Sequence, residues 1–459
     1  MAIKGYDSSS FGKKLSKLVY PAQPIHSIEH LFGRATELRR IEEALYASGR
    51  HVFIYGDRGV GKSSLAATAA NQYQSSDSEY IDVSCSPDAT LADVIANIAY
   101  QAISASRLRN ISIKDKSSIK FKFLNLEKAE DISLRDLHDE IKSLLDAVEI
   151  LREVSLIHSD SPVVVIDEFD RMESESERAL FADLLKHLGD KRIAIKFIFT
   201  GVASTIDALL GAHQSAIRQL ETIELPKLSW DARWEIVTDA AKAFEIEVDK
   251  DILVRIAAVS DGYPYYVHLI TEKLMWHLFW QEDDIVSVKK EHYHAAINDA
   301  ILSISAELKR PYEKAISQRT GDYEQVLWST ADSEWLHRYV KDMYSSYEYI
   351  MQKFSNKEAM AQTKYRTRIR NLKNDSCGAV LAADPKNKGM YSYREKMLRG
   401  YVRMQAEAHG IELIGEQAQE KTVQHATVRA SSGYYQPSVP QGVYFDRERR
   451  HSTNTENET

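Results

Sequence analysis

Cysteine is nearly absent: the 459 residues hold two, Cys85 and Cys377, far apart and in no CxxC pairing. That argues against a disulfide framework or a cysteine zinc site, and a reducing cytoplasm is the expected compartment. Long apolar runs are missing as well. No segment approaches the ~18 apolar residues that a membrane-spanning helix needs. Lys13, Lys14 and Lys17 are not followed by the apolar stretch of a secretory signal. Nor is there an excess of positive charge. The formal net charge is −8, so the chain as a whole is no polybasic nucleic-acid binder. What is present is an ordinary globular composition, 44% apolar, and a length that suggests two or three domains.

Residues 1–30 read as an irregular lead-in. Apolar Leu38, Ile41, Ala44 and Leu45 then fall at helical spacing within Thr36–Ala47. A strand, Val52–Tyr55, runs into a glycine-rich turn and a small-residue helix from Ser63 to about Tyr73. Strand-like Tyr80–Val83, Val163–Ile166, Ile193–Phe199 and Gln219–Leu225 alternate with helical Leu91–Ser104, Ser133–Ser155 and Ser176–Leu188. Such alternation predicts an α/β fold, a parallel sheet with helices on both faces, over 31–228. Within it, 110–126 alternates apolar and polar residues about a turn and reads as an inserted β-hairpin. Beyond Pro226 the strands stop. Ser229 is a good helix cap, and 229–298 reads as an all-helical unit. Residues 299–412 are helical and then change to two short apolar segments around Asp384–Gly389, a turn sequence. The polar, aperiodic 413–459 reads as a disordered tail.

The glycine-rich turn matches G-x-x-x-x-G-K-[ST] at Gly56, Asp57, Arg58, Gly59, Val60, Gly61, Lys62 and Ser63, with Ser64 next in the helix. Glycines let successive N–H groups curl inward around phosphate oxygens, and the helix N-terminus adds partial positive charge. Lys62 supplies a full charge to the β- and γ-phosphates, and Ser63 can ligate Mg²⁺. The apolar strand 163–166 delivers Asp167 to its end, where it can hold the Mg²⁺ shell. Glu168 beside it can polarise an attacking water. These residues point to ATP and Mg²⁺, and to hydrolysis. Thr200 ends the next strand; it either touches the γ-phosphate or water, or is a strand-end turn residue. Asp170 reads as a helix cap or surface acid. Arg218 precedes the last strand-like segment; it is either an arginine finger for a neighbouring subunit or a surface ion-pair residue.

Together these residues resemble the AAA+ ATPases, in the branch that groups origin-recognition and replication-initiation ATPases with archaeal-type and signalling ATPases. The resemblance covers roughly 28–295. Leu31-Phe32-Gly33-Arg34 with Glu37 and Leu38 is similar to that branch's N-terminal signature, which implies Phe32 and Arg34 beside the adenine. Asp261-Gly262-Tyr263-Pro264-Tyr265-Tyr266 is similar to its glycine–proline motif, which implies a helical lid over 229–298 with Pro264 at the nucleotide. Tyr265 stands where many such proteins carry a sensor arginine, which favours the signalling or archaeal-type members. The resemblance also implies nucleotide-dependent self-association.

Residues 360–405 reverse the chain's charge: eleven Lys or Arg against three acids, a local net of +8. Lys364, Arg366, Arg368, Arg370 and Lys373 are interleaved with a stripe of Tyr365, Ile369 and Leu372, and Lys386 and Lys388 sit in the following turn. Helix followed by basic hairpin resembles a winged helix-turn-helix, often attached to this branch. Lys364, Arg366, Arg368, Arg370, Lys386 and Lys388 would contact duplex DNA, unless the module docks a protein instead. The expectation is an ATPase that gates assembly on DNA or on a DNA-bound complex. Its rivals are a signalling or defence switch and a transposon helper ATPase.

Overall fold

The computed structural model describes residues 3, 5–74, 78–108, 133–202, 216–282, 285–318, 323–355 and 358–414. The expected 110–126 hairpin, and the expected tail from residue 415 on, lie outside them.

The lead-in is not irregular throughout. Asp7 and Ser10 form a capping box that starts α1 (Ser8–Leu15) and buries Phe11 and Leu15. Next come α2 (Ala35–Tyr46), β1 (His51–Tyr55), α3 (Lys62–Tyr73), β2 (Ile81–Ser84) and α4 (Leu91–Leu108). The single helix expected over Ser133–Ser155 is two, α5 (Leu134–Asp139) and α6 (Leu144–Ile157). The reason is local: Ser133 and Ser143 each accept from the backbone N–H three residues on, so a second cap interrupts the first helix. After β3 (Val163–Asp167) come α7 (Glu175–Asp190), β4 (Lys196–Gly201) and β5 (Leu220–Glu224).

The five strands form one parallel sheet in the order β2-β3-β4-β1-β5. Alternation along each strand sends side chains to both faces, and both are buried. Val52, Ile54, Val163, Val165, Ile198 and Ile223 join a core with α2 and α3. Phe53, Val164, Ile166, Phe197 and Phe199 join another with α4 to α7. Register pairs Ile166 with Phe199 and Tyr55 with Gly201, so the C-terminal ends of β3, β4 and β1 emerge side by side.

Helices α8 (Trp230–Lys242), α9 (Lys250–Val259), α10 (Pro264–Phe279) and α11 (Lys290–Ser303) follow. Ser229 caps α8, accepting from Ala232 N at 3.2 Å. The unit is not purely helical, because β6 (Glu247–Val248) and β7 (Ser287–Val288) form a two-residue parallel ladder. Helix α1 is seated here: Phe11 lies 4.8 Å from Phe244, 4.9 Å from Trp276 and 4.3 Å from Phe279, ring centre to ring centre.

The remainder runs α12 (Ala306–Ile316), α13 (Tyr323–Ala331), β8 (Arg338–Tyr339), α14 (Val340–Ser355), α15 (Gln362–Asn371), β9 (Leu381–Ala383), β10 (Met390–Tyr393) and α16 (Leu398–Ala408). The last three strands make an antiparallel sheet ordered β8-β10-β9. Asp384 Oδ1 accepts from Lys386 N at 2.8 Å and Asn387 N at 2.7 Å, which closes the β9–β10 turn. Tyr365, Ile369 and Leu372 are buried as one stripe. Helix α16 returns to the lid helices, where Arg255 Nε donates to Glu407 Oε1 at 3.0 Å and Tyr293 Oη donates to the same oxygen at 3.1 Å. Among the described residues no helix is long and apolar enough to cross a membrane.

Candidate nucleotide-binding site

The aligned strand ends bring the chemistry together. Asp167, last in β3, sits between Ser63 and Thr200. Ser63 Oγ donates to Asp167 Oδ1 at 3.0 Å, and the Thr200 hydroxyl donates to the same oxygen. Thr200 Oγ1 in turn accepts from Glu168 N at 3.0 Å. Glu168 has φ 53°, the left-handed region that a side chain adopts at a cost. Its carboxylate takes a 2.8 Å contact from Arg171 Nη1.

The phosphate-loop sequence turns as expected. Gly59 and Gly61 have φ 81° and 97°, and Gly61 precedes α3. A Cβ on Gly56 would meet Leu225 O at 2.5 Å. Lys62 Nζ donates to Gly56 O at 3.1 Å and Asp57 O at 3.0 Å. Burial lowers its pKa, against the pull of Asp170, Asp167 and Asp57. A cation held at a helix N-terminus beside a glycine-rich turn suits phosphate oxygens. Among the described residues no cluster of three or more His, Cys, Asp or Glu side chains could hold a metal. A hard ion that keeps its waters, Mg²⁺, suits the one carboxylate and one hydroxyl found here: Asp167 and Ser63 would hold it together with phosphate oxygens.

These groups open into a cavity of about 760 Å³, lined by Gly59, Gly61, Lys62, Ser63, Ser64, Asp167, Glu168 and Thr200. Its far wall includes Pro264 and Tyr265 of the lid and a segment that sequence reasoning missed, Tyr20 to Ile25. That strap is tied to both sides of the cavity. Tyr20 N donates to His268 Nδ1 at 3.3 Å on α10, Ile25 N donates to Ser64 Oγ at 3.1 Å, and Thr68 Oγ1 donates to Ile25 O at 2.9 Å. Nothing in its composition marks these roles, since they depend on contacts with residues distant in sequence.

Other expected residues fall elsewhere. Arg34 is buried and donates to Val60 O at 3.1 Å and Pro226 O at 2.7 Å. It therefore props the loop from behind and does not face the cavity. Phe32 packs on the core and is not part of the wall. Val60 is buried, and Gly56 and Asp57 form the loop without lining the cavity. Arg58 reaches the rim, 3.8 Å from Glu307. Arg218 is exposed just before β5 and away from this cavity.

The C-terminal elements touch the loop directly. Lys396 Nζ pairs with Asp57 Oδ1 at 2.5 Å, and Met397 lies so close to Gly59 that any side chain there would collide with it. Three of the eleven basic residues of 360–405 are thus committed inward: Lys396 here, and Arg399 and Arg403 on Asp261. On α15, Lys364, Arg366 and Arg370 are exposed, as are Lys386 and Lys388 in the turn. Arg368 does not join them; its guanidinium lies 5.0 Å over the Tyr323 ring.

Residues 30–198 match the family described as AAA ATPase domain. No curated protein matches the chain. Among solved structures, the Walker-type ATPase PABY2304 of Pyrococcus abyssi is similar at TM-score 0.47 and 17% identity, over 83% of this chain and 98% of its own. Cdc6p of Pyrobaculum aerophilum is similar at TM-score 0.42 and 16% identity, over 87% and 98%. The ORC1 protein of Aeropyrum pernix, solved in complex with DNA, is similar at 0.41 and 13%, over 82% and 92%. At these values the likeness says nothing of what this chain binds. The family match over residues 30–198 agrees with the parallel five-stranded sheet and the glycine-rich turn that opens α3: this part of the chain has an α/β P-loop fold.

Proposed function

We propose that the chain binds ATP with Mg²⁺ in the 760 Å³ cavity, hydrolyses it, and uses the cycle to gate assembly on DNA or on a DNA-bound complex. The observation that carries this is the convergence of the Ser63 and Thr200 hydroxyls on Asp167, beside Lys62, with the Glu168 amide donating to Thr200 in turn. Lys62 would neutralise charge on the β- and γ-phosphates, Asp167 and Ser63 would hold the ion, and Thr200 fixes the Asp167 carboxylate. Glu168 orients and deprotonates the attacking water once its carboxylate leaves Arg171. Mg²⁺ when bound neutralises charge developing on the phosphates. Phosphate release by the full chain, with and without duplex DNA, tests the reading; no turnover under either condition and at high protein concentration would reduce it to a binding switch.

The reading includes nucleotide-dependent self-association in which Arg218 reaches a neighbouring subunit, and the exposed position of Arg218 just before β5 leaves it available for that role. Arg218→Ala should bind ATP normally yet hydrolyse it poorly, and mixing with Lys62→Ala subunits should restore some activity. No rescue from co-assembled subunits assigns Arg218 to the surface.

The order α13, β8, α14, α15, β9, β10 supports reading 299–412 as a winged helix, with α15 for the major groove and the β9–β10 turn for phosphates. Arg366 and Arg370, four apart, share a face and are exposed. Lys386→Ala with Lys388→Ala should weaken binding to every duplex sequence and flatten the log–log salt slope by about 2, at about 0.9 per phosphate contact. Fluorescence anisotropy over a salt series reads this, and absence of binding at low salt moves the module to protein docking.

One observation favours the nucleotide-switch reading as second. The Lys396–Asp57 pair and the Met397–Gly59 contact place a C-terminal element on the phosphate loop itself. A loop that reshapes around phosphates would strain or break both.

A further inference from the structure

A second cavity, of about 470 Å³, lies between the start of α8, the Asp261 turn and the C-terminal elements. Its walls carry four cations, Lys227, Arg233, Arg399 and Arg403, against two carboxylates, Asp261 and Glu334. Asp261 is 5% exposed. It receives Lys227 Nζ at 2.9 Å, Arg399 Nε at 2.8 Å and Nη2 at 2.6 Å, and Arg403 Nη1 at 3.0 Å. Burial alone would raise its pKa, but Arg403 and Arg399 hold it far below the usual carboxylate range. One carboxylate thus serves three cations.

Counting donors separates scaffold from surplus. Arg399 also binds the carbonyls of Trp335 and Glu334, and Arg403 those of Ala331, Ala258 and Ser333, so both are committed to joining α16 to its neighbours. Among the described residues Lys227 makes one hydrogen bond, to Asp261, out of three it could donate, and its ammonium lies 4.3 Å over the Tyr263 ring. Arg233 directs Nε and Nη1 to the carbonyls of Leu228, Ser229 and Ala257, and its Nη2 has no hydrogen-bond acceptor among the described residues. Burial pushes Lys227 down to about 8 despite Asp261, and Arg233 down to about 10. Both are half-buried cations in a cleft whose walls carry four cations against two carboxylates, the environment that an added anion stabilises. Trp335 stands at the same mouth, 78% exposed, an unusual place for a large aromatic. The volume is in the range of small-ligand sites.

We propose that this cavity is a ligand site, separate from the phosphate loop, for a small phosphate monoester bearing a planar ring, with the phosphate on Lys227 and Arg233 and the ring on Trp335. Its walls share no residue with the nucleotide cavity. A ligand here would bridge the lid to the C-terminal elements, so occupancy would strengthen that junction.

The test uses the full chain with Lys62→Ala, which removes the phosphate loop as a competing site, and AMP and inorganic phosphate as probes in calorimetry. Saturable AMP binding is expected, weakened about tenfold or more by adding Lys227→Gln, the loss of one charged hydrogen bond. Trp335→Ala, at an exposed position where folding is not at stake, should weaken AMP but leave phosphate unchanged. No saturable AMP binding, or binding indifferent to Lys227→Gln, overturns the site. Equal loss of AMP and phosphate with Trp335→Ala overturns the planar-ring assignment.

Discussion

Lys62→Ala is expected to lower ATP affinity by on the order of 10²-fold or more while the chain stays folded. The ammonium now rests on two carbonyls of its own loop, Gly56 and Asp57, and burial already weakens its hold on its proton. Its removal therefore costs the fold two modest contacts. Towards ATP the loss is larger, because a charged donor between two phosphates contributes roughly 1.5–3 kcal/mol per hydrogen bond, and each 1.4 kcal/mol is about tenfold. Calorimetric titration, with circular dichroism to confirm folding, reads the result. Unchanged affinity would mean that phosphate is not bound at this loop.

Glu168→Gln should leave ATP bound and cut turnover by about 10²-fold or more, the scale of a lost general base. Asp167, Ser63 and Thr200 remain to hold the ion, so binding and turnover separate. The backbone favours this assignment: Glu168 holds a left-handed conformation that no nearby glycine relieves, and its amide is bonded to Thr200. Backbone strain of this kind persists where the surrounding structure over-determines it, and it clusters at functional sites. The carboxylate is now turned to Arg171, so the active geometry needs that pair to open. Phosphate release measured beside ATP titration decides the matter; equal loss of both would assign Glu168 to binding.

The α/β core was legible because its signals are local. Gly56–Ser63 must curl, and Val163–Ile166 is apolar enough to be a central strand wherever it stands. The stripe of Leu38, Ile41, Ala44 and Leu45 is buried as its spacing requires. What misled was long-range. The resemblance implies Arg34 beside the adenine, yet two carbonyls, one of them 192 residues away, hold its guanidinium. Arg399 and Arg403 count toward a basic patch until Asp261, more than a hundred residues earlier, turns them inward. Local spacing gives the face of a helix but not what packs against it. Helix α1 was missed for a smaller reason: eight residues with two buried side chains carry too short a period to stand out.

The strap from Tyr20 to Ile25 also sets a limit on travel. Its ends are fastened to different bodies, Tyr20 to α10 of the lid and Ile25 to α3 of the core. Five residues of chain reach about 17 Å at full extension, and Pro21 and Pro24 restrict how they bend. Beyond Tyr20, α1 anchors the lid end through Phe11, buried among lid aromatics; beyond Ile25, His26 O accepts from Asn71 at 3.1 Å. Any opening of the helical unit over the cavity would therefore be limited to what this segment can span while both anchors hold. The segment would then act as a check-strap, its length setting how wide the mouth of the cavity could open.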